Sequence, residues 1–283
     1  MKTVSAVDEL RTAVHSARRE GQRIGFVPTM GNLHAGHLEL VRVAREIADF
    51  VVISIFVNPL QFSPNEDFAS YPRTLDEDSA QLSAMEVDLL FTPAMNDMYP
   101  GGQDAASIIT VPGISDRLCG ASRPGHFQGV ATVVARLFNL VCPDIAVFGE
   151  KDFQQLLVIR RMASDLAFDI EIIGVPTVRE LDGLALSSRN RYLDAGQRAI
   201  APLLYQVLND VAGEIAAGNT AFRELEQGAI ESLIAAGFQP EYFSVCREID
   251  LAEAQDASQS VAVLAAVTLG KARLIDNLRI PGC

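Results

Sequence analysis

The chain has 283 residues, of which 49% are hydrophobic and 21% are charged, a composition typical of globular proteins with a sizeable core. The formal net charge is −13, from 36 acidic and 23 basic residues, which argues against a general nucleic-acid-binding surface. No apolar run approaches the ~18 residues that span a bilayer, and the first residues follow a charged amphipathic pattern rather than a secretory leader. The 4 cysteines are scattered without a C-x-x-C pair. We therefore expect a cytoplasmic protein with reduced thiols and no membrane segment.

Short β-rich runs alternate with helical periods from the N-terminus to about residue 175. The spacing of Val4, Val7, Leu10 and Val14 predicts a first helix, and further helices are predicted over residues 38–47, 75–85, 127–141 and 153–166. Strands are predicted over residues 24–27, 51–57, 87–91, 107–111, 145–148 and 170–175. Apolar strands separated by helices imply a parallel sheet covered on both faces. Ligands of such sheets bind at the carboxyl ends of the strands.

The pattern changes after about residue 178. Two predicted helices, residues 197–217 and 221–236, precede predicted strands over residues 242–246, 261–267 and 273–275. We therefore expect an α/β protein with a Rossmann-like parallel-sheet domain over residues 1–177. A smaller α+β domain is expected over residues 178–283, joined through the polar loop at residues 179–190.

The first strand-to-helix junction reads PTMGNLHAGH, from Pro28 to His37. A strand end, a glycine-containing loop and a helix start together present backbone N–H groups to an anion. Gly31 and Gly36 have the spacing of a phosphate loop, but His37 stands where a Walker A loop requires lysine. The pair His34 and His37 therefore has three readings: anion binding, a zinc site, or two structural histidines. Zinc is the weaker functional reading, because neither H-E-x-x-H nor a nearby cysteine accompanies the pair.

The same string carries a resemblance. His34-Ala35-Gly36-His37 resembles the HxGH signature of the nucleotidylyltransferase superfamily. Together with further strings, it is similar to one member family, the pantoate–β-alanine ligases, or pantothenate synthetases. Those strings are FVNPLQF at residues 56–62, YPRTLDED at 71–78, RPGHFQGV at 123–130, FGEKDFQQL at 148–156 and LALSSRNRYL at 184–193. Their order and spacing extend the resemblance over nearly the whole chain.

The resemblance implies an enzyme of pantothenate biosynthesis. ATP would activate pantoate as pantoyl-adenylate with release of pyrophosphate, and β-alanine would then give pantothenate and AMP. Mg²⁺ would accompany ATP, and the chain would form a homodimer through its N-terminal halves. The alternatives are a sister nucleotidylyltransferase, a nucleotide sensor without turnover and a zinc hydrolase.

Neutral amides and one lysine follow the other predicted strands. Asn58 and Gln61 can hydrogen bond a hydroxyl or carboxylate without adding charge, and the resemblance assigns Gln61 and Gln155 to pantoate. Lys151, one of only three lysines, stands at a turn that opens a helix, where it suits a phosphate. We predict that His34, His37 and Lys151 stabilise developing charge on the phosphates.

The ATP site predicted from the junctions and the resemblance consists of Met30, Gly31, Asn32, Leu33, His34, Ala35, Gly36, His37, Gly149, Glu150, Lys151, Asp152, Val178, Leu186, Ser187, Ser188 and Arg189. Within it, Asp152 is assigned to the ribose and Val178 to the adenine. Glu77 and Asp78 are weak candidates for holding Mg²⁺ through water. From the sequence, two interpretations of Arg123 and His126 stay open, a place in the site or at a subunit interface. The helix over residues 129–141 likewise has two interpretations, packing in the core or contact in a dimer.

Overall fold

The computed structural model describes residues 1–63 and 68–282, and its N-terminal half is built on a six-stranded parallel sheet. The strand order is β1-β4-β3-β2-β5-β6. Its strands are β1 (Lys2–Val4), β2 (Ile24–Thr29), β3 (Phe50–Ile55), β4 (Leu89–Phe91), β5 (Ile145–Gly149) and β6 (Glu171–Val175). The helices of this half are α1 (Val7–Arg19), α2 (Ala35–Ile47), α3 (Leu75–Ala84), α4 (Met95–Met98), α5 (Cys119–Ser122), α6 (His126–Val141) and α7 (Phe153–Asp165).

Side chains alternate between two hydrophobic clusters along the central strands, as the two-residue period of a strand requires. On β2, Phe26 packs into the cluster that contains α1, α6 and α7, whereas Val27 packs into the cluster that contains α2 and α3. Both side chains are fully buried. The predicted parallel sheet with helices on both faces is confirmed, and its apolar strands leave the polar loops to form the site.

Two local predictions in this half are wrong. The first residues form the edge strand β1, which pairs with β4, so the helix begins at Val7 rather than Val4. The predicted strand over residues 107–111 is irregular. Its Ile109 N–H donates to the Thr132 hydroxyl of α6 at 2.9 Å, while Val111 is buried and Ile108 is exposed. The alternating pattern therefore reflects a segment lying across a helix instead of a strand in a ladder.

The C-terminal half consists of a three-stranded antiparallel sheet and the helices that precede it in the chain. Its elements are α8 (Ala195–Ile200), α9 (Leu203–Ala216), α10 (Phe222–Ala235), β7 (Gln239–Arg247), β8 (Val261–Leu269) and β9 (Ala272–Ile280), with β8 in the centre. One face packs against α9 and α10, whereas Ala262 and Leu264 of β8 belong to the cluster beneath α6 and α7. The sheet therefore lies between its own helices and the N-terminal half.

The single helix predicted over residues 197–217 is two helices, α8 and α9, separated at Pro202. Proline lacks the backbone N–H that would continue the first helix, so the chain begins a new one. The division of the chain at residues 177 and 178 stays a prediction. Over residues 1–63 and 68–282, no helix is long and apolar enough to cross a membrane.

Candidate active site

A cavity of about 230 Å³ opens where β2, β3, β5 and β6 end, at the edge of the sheet where the sequence predicts ligand binding. Its walls come from the turn after β2, the turn after β5, helix α6 and the loop between the two halves. The predicted site residues that line it are Met30, His34, Gly36, His37, Gln61, Gly149, Lys151, Asp152, Gln155, Val178, Leu186, Ser187, Ser188 and Arg189. The structure thus brings together residues from segments that are far apart in the chain.

The turn after β2 is held by a buried carboxylate of helix α3. The Asn32 N–H donates to one oxygen of Asp78 and the Leu33 N–H donates to the other, both at 2.8 Å. The Thr74 hydroxyl lies 3.2 Å from the same carboxylate, which is 1% exposed. Gly31 has φ +79°, and a Cβ there would lie 3.0 Å from Asp78. This close approach requires glycine and fixes the backbone of the turn.

The two histidines of this turn use their Nδ1 atoms to accept backbone hydrogen bonds. The Gly36 N–H donates to His34 Nδ1 at 3.1 Å, and the His34 N–H donates to His37 Nδ1 at 3.4 Å. A ring nitrogen that accepts a hydrogen bond carries no hydrogen, so each neutral imidazole has its hydrogen on Nε2. A Cβ at Gly36 would lie 2.9 Å from the His34 ring. The turn therefore offers two Nε2–H donors to a ligand.

Both imidazoles are held in the neutral form. Burial, followed by the neighbouring His34, lowers the pKa of His37 to about 3, although Asp152 opposes the change. Burial also lowers the pKa of His34, and the ammonium of Lys151 contributes in the same direction. The ring centroids are 4.1 Å apart, so the two rings could not both be charged without strong repulsion. At neutral pH they donate hydrogen bonds without carrying charge.

The turn after β5 supplies the charged groups. Residues 150–152 form a short 3-10 turn that leads into α7, and Lys151 Nζ lies 3.8 Å from the Asp152 carboxylate. Removal from water works against ionisation of Asp152, but Lys151 and Arg189 outweigh it and hold the pKa of that carboxyl below its usual range. Glu150 is directed away from the cavity, with its carboxylate 3.0 Å from the Arg279 guanidinium. Among the described residues that line the cavity, Asp152 is therefore an ionised carboxylate accompanied by the cations of Lys151 and Arg189.

Gln61 lines the cavity, whereas Asn58 lies behind it. The Asn58 amide nitrogen donates to Gln61 Oε1 and to the Gly129 carbonyl, both at 3.1 Å. Its oxygen accepts from the Tyr99 hydroxyl at 2.8 Å, and the side chain is 1% exposed. Asn58 is thus saturated by protein groups and orients Gln61. Asn58 is not among the residues that line the cavity, and its predicted contact with substrate stays a prediction.

Gly129 allows α6 to pack closely against the turn that carries Gln61. A Cβ at Gly129 would come within 2.2 Å of the Leu60 carbonyl oxygen, so only glycine lets the helix pack against the turn at residues 59–61. His126, at the first turn of α6, has Nδ1 2.8 Å from the Gln61 carbonyl oxygen, and Arg123 contacts the same ring. Both residues, which the sequence left undecided, lie beside Gln61 in the described structure and support its backbone.

The loop between the halves forms another side of the cavity. Val178 and Leu186 are joined by a backbone hydrogen bond, from the Leu186 N–H to the Val178 carbonyl at 3.0 Å, and both line the cavity. Ser187 then begins a 3-10 turn, and its hydroxyl accepts from the Arg189 N–H at 3.3 Å. Two hydroxyls and a guanidinium follow an apolar pair, an order that suits a base followed by phosphates.

Several predicted residues shape the site without lining it. They belong to the turns around the cavity but are not among its lining residues; they are Gly31, Asn32, Leu33, Ala35 and Glu150. Sequence reasoning also missed part of the wall, namely Phe56, Tyr71, Val130, Val133, Val134 and Leu137. The last four come from α6, whose apolar period indicates core or dimer contact. Apolar residues on a helix recur at the same spacing whether they face a ligand cavity or the protein core. The spacing alone therefore could not distinguish the two cases.

The structure shows the surroundings of the magnesium candidates Glu77 and Asp78, and their role in holding Mg²⁺ through water stays a prediction. Both oxygens of Asp78 accept hydrogen bonds from the turn, and Glu77 is exposed. Over the described residues, no group of three or more histidine, cysteine, aspartate or glutamate side chains is arranged to hold a metal. The histidine pair also disfavours zinc, because a zinc ligand nitrogen must carry no hydrogen and the bare Nδ1 atoms are occupied by backbone N–H groups.

Comparison with known proteins assigns the family. The model of the pantoate-beta-alanine ligase family matches residues 2–279. The chain is 55% identical to a pantothenate synthetase of Stutzerimonas stutzeri over 99% of this chain and 98% of that protein. It is 56% identical to one of Pseudomonas aeruginosa over 99% of each. The chain belongs to the pantoate–β-alanine ligase family.

Solved ligases of this family share the fold. The pantothenate synthetase of Thermus thermophilus superposes with a TM-score of 0.91 at 50% identity, covering 98% of this chain and 99% of that one. The ligase of Francisella tularensis, solved in complex with β-γ ATP and β-alanine, gives a TM-score of 0.79 at 35% identity, covering 98% and 97%. The fold class and the ligase identity expected from the sequence are confirmed.

Proposed function

We propose that this chain condenses pantoate with β-alanine through a pantoyl-adenylate, converting ATP to AMP and pyrophosphate. The observation that carries the proposal is a single cavity in which two neutral Nε2–H donors face a lysine and an arginine. Such a set stabilises charge on phosphate oxygens without requiring a protein nucleophile. The family, and the relative solved with β-γ ATP and β-alanine, support the same substrates.

In the first step, a pantoate carboxylate oxygen attacks the α-phosphorus of ATP. A new P–O bond forms, the bond to the β-phosphate oxygen breaks, and pyrophosphate takes the electron pair of that bond. His34 and His37 would donate Nε2–H bonds to phosphate oxygens, while Lys151 balances the charge that moves onto pyrophosphate. Alignment of the two anions in one cavity can lower the activation free energy by ~7–11 kcal/mol.

The walls of the cavity differ from one end to the other. Val178 and Leu186 provide an apolar slot for adenine, and Asp152 is placed to accept hydrogen bonds from ribose hydroxyls. Gln61 and Gln155 also line the cavity, and we assign them, with the valines of α6 and Tyr71, to the dimethyl and hydroxyl groups of pantoate. The reacting carboxylate would then lie between the glutamines and the phosphates.

In the second step, the neutral amine of β-alanine attacks the acyl carbon of the adenylate. A C–N bond forms, the C–O bond to AMP breaks, and the amine loses a proton as the amide forms. Residues 186–189 of the loop between the halves line the cavity, and closer packing of this loop over bound ATP would limit the access of water to the reactive anhydride. Mg²⁺ typically binds through substrate phosphates and keeps several waters, so we propose that it arrives as MgATP.

The deciding experiment supplies pantoate, β-alanine and MgATP and resolves AMP from ADP. We expect AMP, pyrophosphate and pantothenate in equal amounts, and labelled pyrophosphate should exchange into ATP when pantoate is present without β-alanine. Formation of ADP and phosphate would instead indicate an acyl-phosphate intermediate. A stable nucleotidyl product would indicate a sister nucleotidylyltransferase, and binding of ATP without turnover would indicate a sensor.

Two further predictions concern the protein as a whole. We propose a homodimer formed through the N-terminal halves, which sedimentation equilibrium would test, and a cytoplasmic location, which fractionation of the source cells would test. A zinc hydrolase is the remaining alternative. It would contain stoichiometric zinc by elemental analysis and would regain activity from chelation with zinc but not with magnesium.

A further inference from the structure

Strand β9 of the C-terminal half contacts both cationic arms of the active site through two consecutive residues, Asp276 and Asn277. One arm is the turn that carries Lys151, and the other is the loop that carries Arg189. Consecutive side chains of a strand point to opposite faces of its sheet. The register pairs Asn277 with Leu264, whose side chain faces the N-terminal half, and pairs Asp276 with Ala265, which belongs to the cluster on the other face.

Asn277 binds the turn of Lys151 through main-chain carbonyls. Its amide nitrogen donates to the Glu150 carbonyl at 2.9 Å and to the Lys151 carbonyl at 3.0 Å, and the residue is 6% exposed. An amide nitrogen carries two hydrogens, so two carbonyls use its full donor capacity. Arg279, two residues along on the same face, pairs with the Glu150 carboxylate at 3.0 Å. The turn is thus fastened at its backbone and at one side chain.

Asp276 binds the other arm. Its two carboxylate oxygens accept from the Arg179 guanidinium at 2.5 and 2.8 Å, and its own side chain is 2% exposed. The same guanidinium donates to the Gly183 carbonyl at 3.1 Å and lies 3.7 Å from the centroid of the Tyr205 ring. Arg179 begins the loop that ends with Ser187 to Arg189, so this bidentate pair fixes the base of that loop.

The two contacts are joined within the strand. The Asn277 N–H donates to an Asp276 carboxylate oxygen at 2.8 Å, so the groups that hold the two arms share one short hydrogen-bonded unit. A displacement of β9 would therefore move both arms together. Neither side chain lines the main cavity, which means that any effect on the reaction must pass through the residues they hold.

We propose that Asp276 and Asn277 are positioning residues that set Lys151 and the Ser187–Arg189 loop at the spacing required by the triphosphate during adenylation. This inference rests on the proposed function and adds the source of its geometry. The hydrogen bonds of the Asn277 amide go to Glu150 and Lys151, and none in the described residues joins it to Gln61 or Gln155, around which the proposed pantoate pocket is built. Loss of Asn277 should therefore change the chemical step without weakening the binding of pantoate.

The test is a double-mutant cycle on pantoate-dependent exchange of pyrophosphate into ATP. We expect Asn277→Ala to lower kcat by about 10- to 100-fold, because one buried donor pair is lost from the lysine turn. KM for pantoate should stay within about 2-fold, since its pocket is untouched. In a Lys151→Ala background, the same change should lower the rate by less than about 3-fold, because the ammonium that Asn277 positions is already absent.

A matched control is available in the same half. The Asn209 amide also donates to a carbonyl, that of Tyr205 at 2.7 Å, but lies on the exposed face of α9. Asn209→Ala should leave kcat and KM unchanged. If Asn277→Ala does not fold, as judged by circular dichroism, Arg279→Gln removes the second tie to the turn from a partly exposed position and should lower kcat in the same direction.

The outcomes separate the inference from the function on which it rests. If Lys151→Ala itself leaves exchange intact, the proposed role of the lysine fails. If Lys151→Ala abolishes exchange but Asn277→Ala is silent, or the two effects multiply independently, the positioning role is overturned. A parallel rise of KM for pantoate with the fall of kcat would likewise overturn it, because a general loosening of the fold affects both.

Discussion

Two strand-to-helix turns build the end of the cavity that we propose for the phosphates, and they are fastened in different ways. The turn after β2 is held inside the N-terminal half by the buried Asp78 and by hydrogen bonds from its own backbone to His34 and His37. The turn after β5 is held from the C-terminal half by Asn277 and Arg279.

The difference follows the charge that each turn carries. The first turn presents neutral imidazoles, which lose little by being fixed in a rigid and partly buried setting. The second presents an ammonium, whose effect on a phosphate depends steeply on distance. Fastening the ammonium through the other half makes its position depend on how the halves are packed. Neutral donors are thus preformed, whereas the charged donor is set by a contact from the C-terminal half.

The largest effect should come from removing the charged donor. Lys151→Ala is expected to lower kcat for AMP formation by at least ~100-fold, because the charge moving onto pyrophosphate loses its compact counterion. Lys151→Arg serves as the control for charge alone, and we expect it to recover only part of the loss, since a planar guanidinium cannot occupy the same position. Near wild-type turnover of Lys151→Ala would remove the lysine from the mechanism.

Removal of a neutral donor should cost nearly as much. His37→Ala is expected to lower kcat by ~100-fold, the size of effect typical of a lost oxyanion donor. Glutamine places an N–H close to the position of Nε2, so His37→Gln should retain more activity than His37→Ala, measured in the same exchange assay. If both variants are equally impaired, the ring acts through something other than a neutral Nε2–H.

Much of this arrangement could be predicted from the sequence. Apolar strand runs separated by helical periods indicate a parallel sheet, and that pattern places the turns after residues 27, 57 and 148 at one edge. The pair of histidines around Gly36 and the lone lysine at a helix start followed from chemistry at those turns. The same residues carried the family resemblance, which supplied Gln155, Val178 and the serine loop.

The rest depended on contacts between residues distant in sequence. Asp78 is indistinguishable in sequence from the acidic residues common in a first helical turn, and only its hydrogen bonds to Asn32 and Leu33 reveal its purpose. Asn58 has the sequence position of a substrate ligand because it follows a strand, but its amide is saturated by Gln61 and Gly129. A local sequence pattern predicts the type of side chain and the element on which it lies. Its role depends on the residue to which it hydrogen bonds, and that residue is distant in sequence.

A smaller loss should follow from loosening the first turn. Asp78→Asn keeps the size of the side chain but replaces one acceptor oxygen with a donor that opposes a backbone N–H, so the turn bearing the histidines should shift. We expect kcat to fall about 10-fold. The matched change Asp210→Asn, on the exposed face of α9, should have no effect. Activity of Asp78→Asn equal to wild type would show that the turn keeps its shape without this carboxylate.

The neutral state of His37 predicts how stability depends on pH. The pKa of His37 is about 3 in the folded chain, below the usual value, so the unfolded chain binds more protons between about pH 3 and 6.5. The free energy of unfolding should therefore fall as pH drops below about 6.5, and this contribution is complete above that pH. Between pH 7 and 5, wild type should lose more stability than His37→Gln, by on the order of 1 kcal/mol, in denaturant titrations. Parallel losses would mean that His37 titrates normally.

The smallest predicted effects come from the same glycine-to-alanine substitution at two positions, Gly36 and Gly228. Gly36→Ala puts a Cβ 2.9 Å from the His34 ring, so it should displace that donor and lower kcat. Gly228 lies within α10, where a Cβ would meet nothing within 4 Å. Because alanine is the better helix former, Gly228→Ala should raise the free energy of unfolding by about 0.5–1 kcal/mol and leave kcat unchanged. Thermal denaturation and the AMP assay measure both variants side by side. A loss of activity in Gly228→Ala would mean that the helices of the C-terminal half, and not strand β9 alone, influence the reaction.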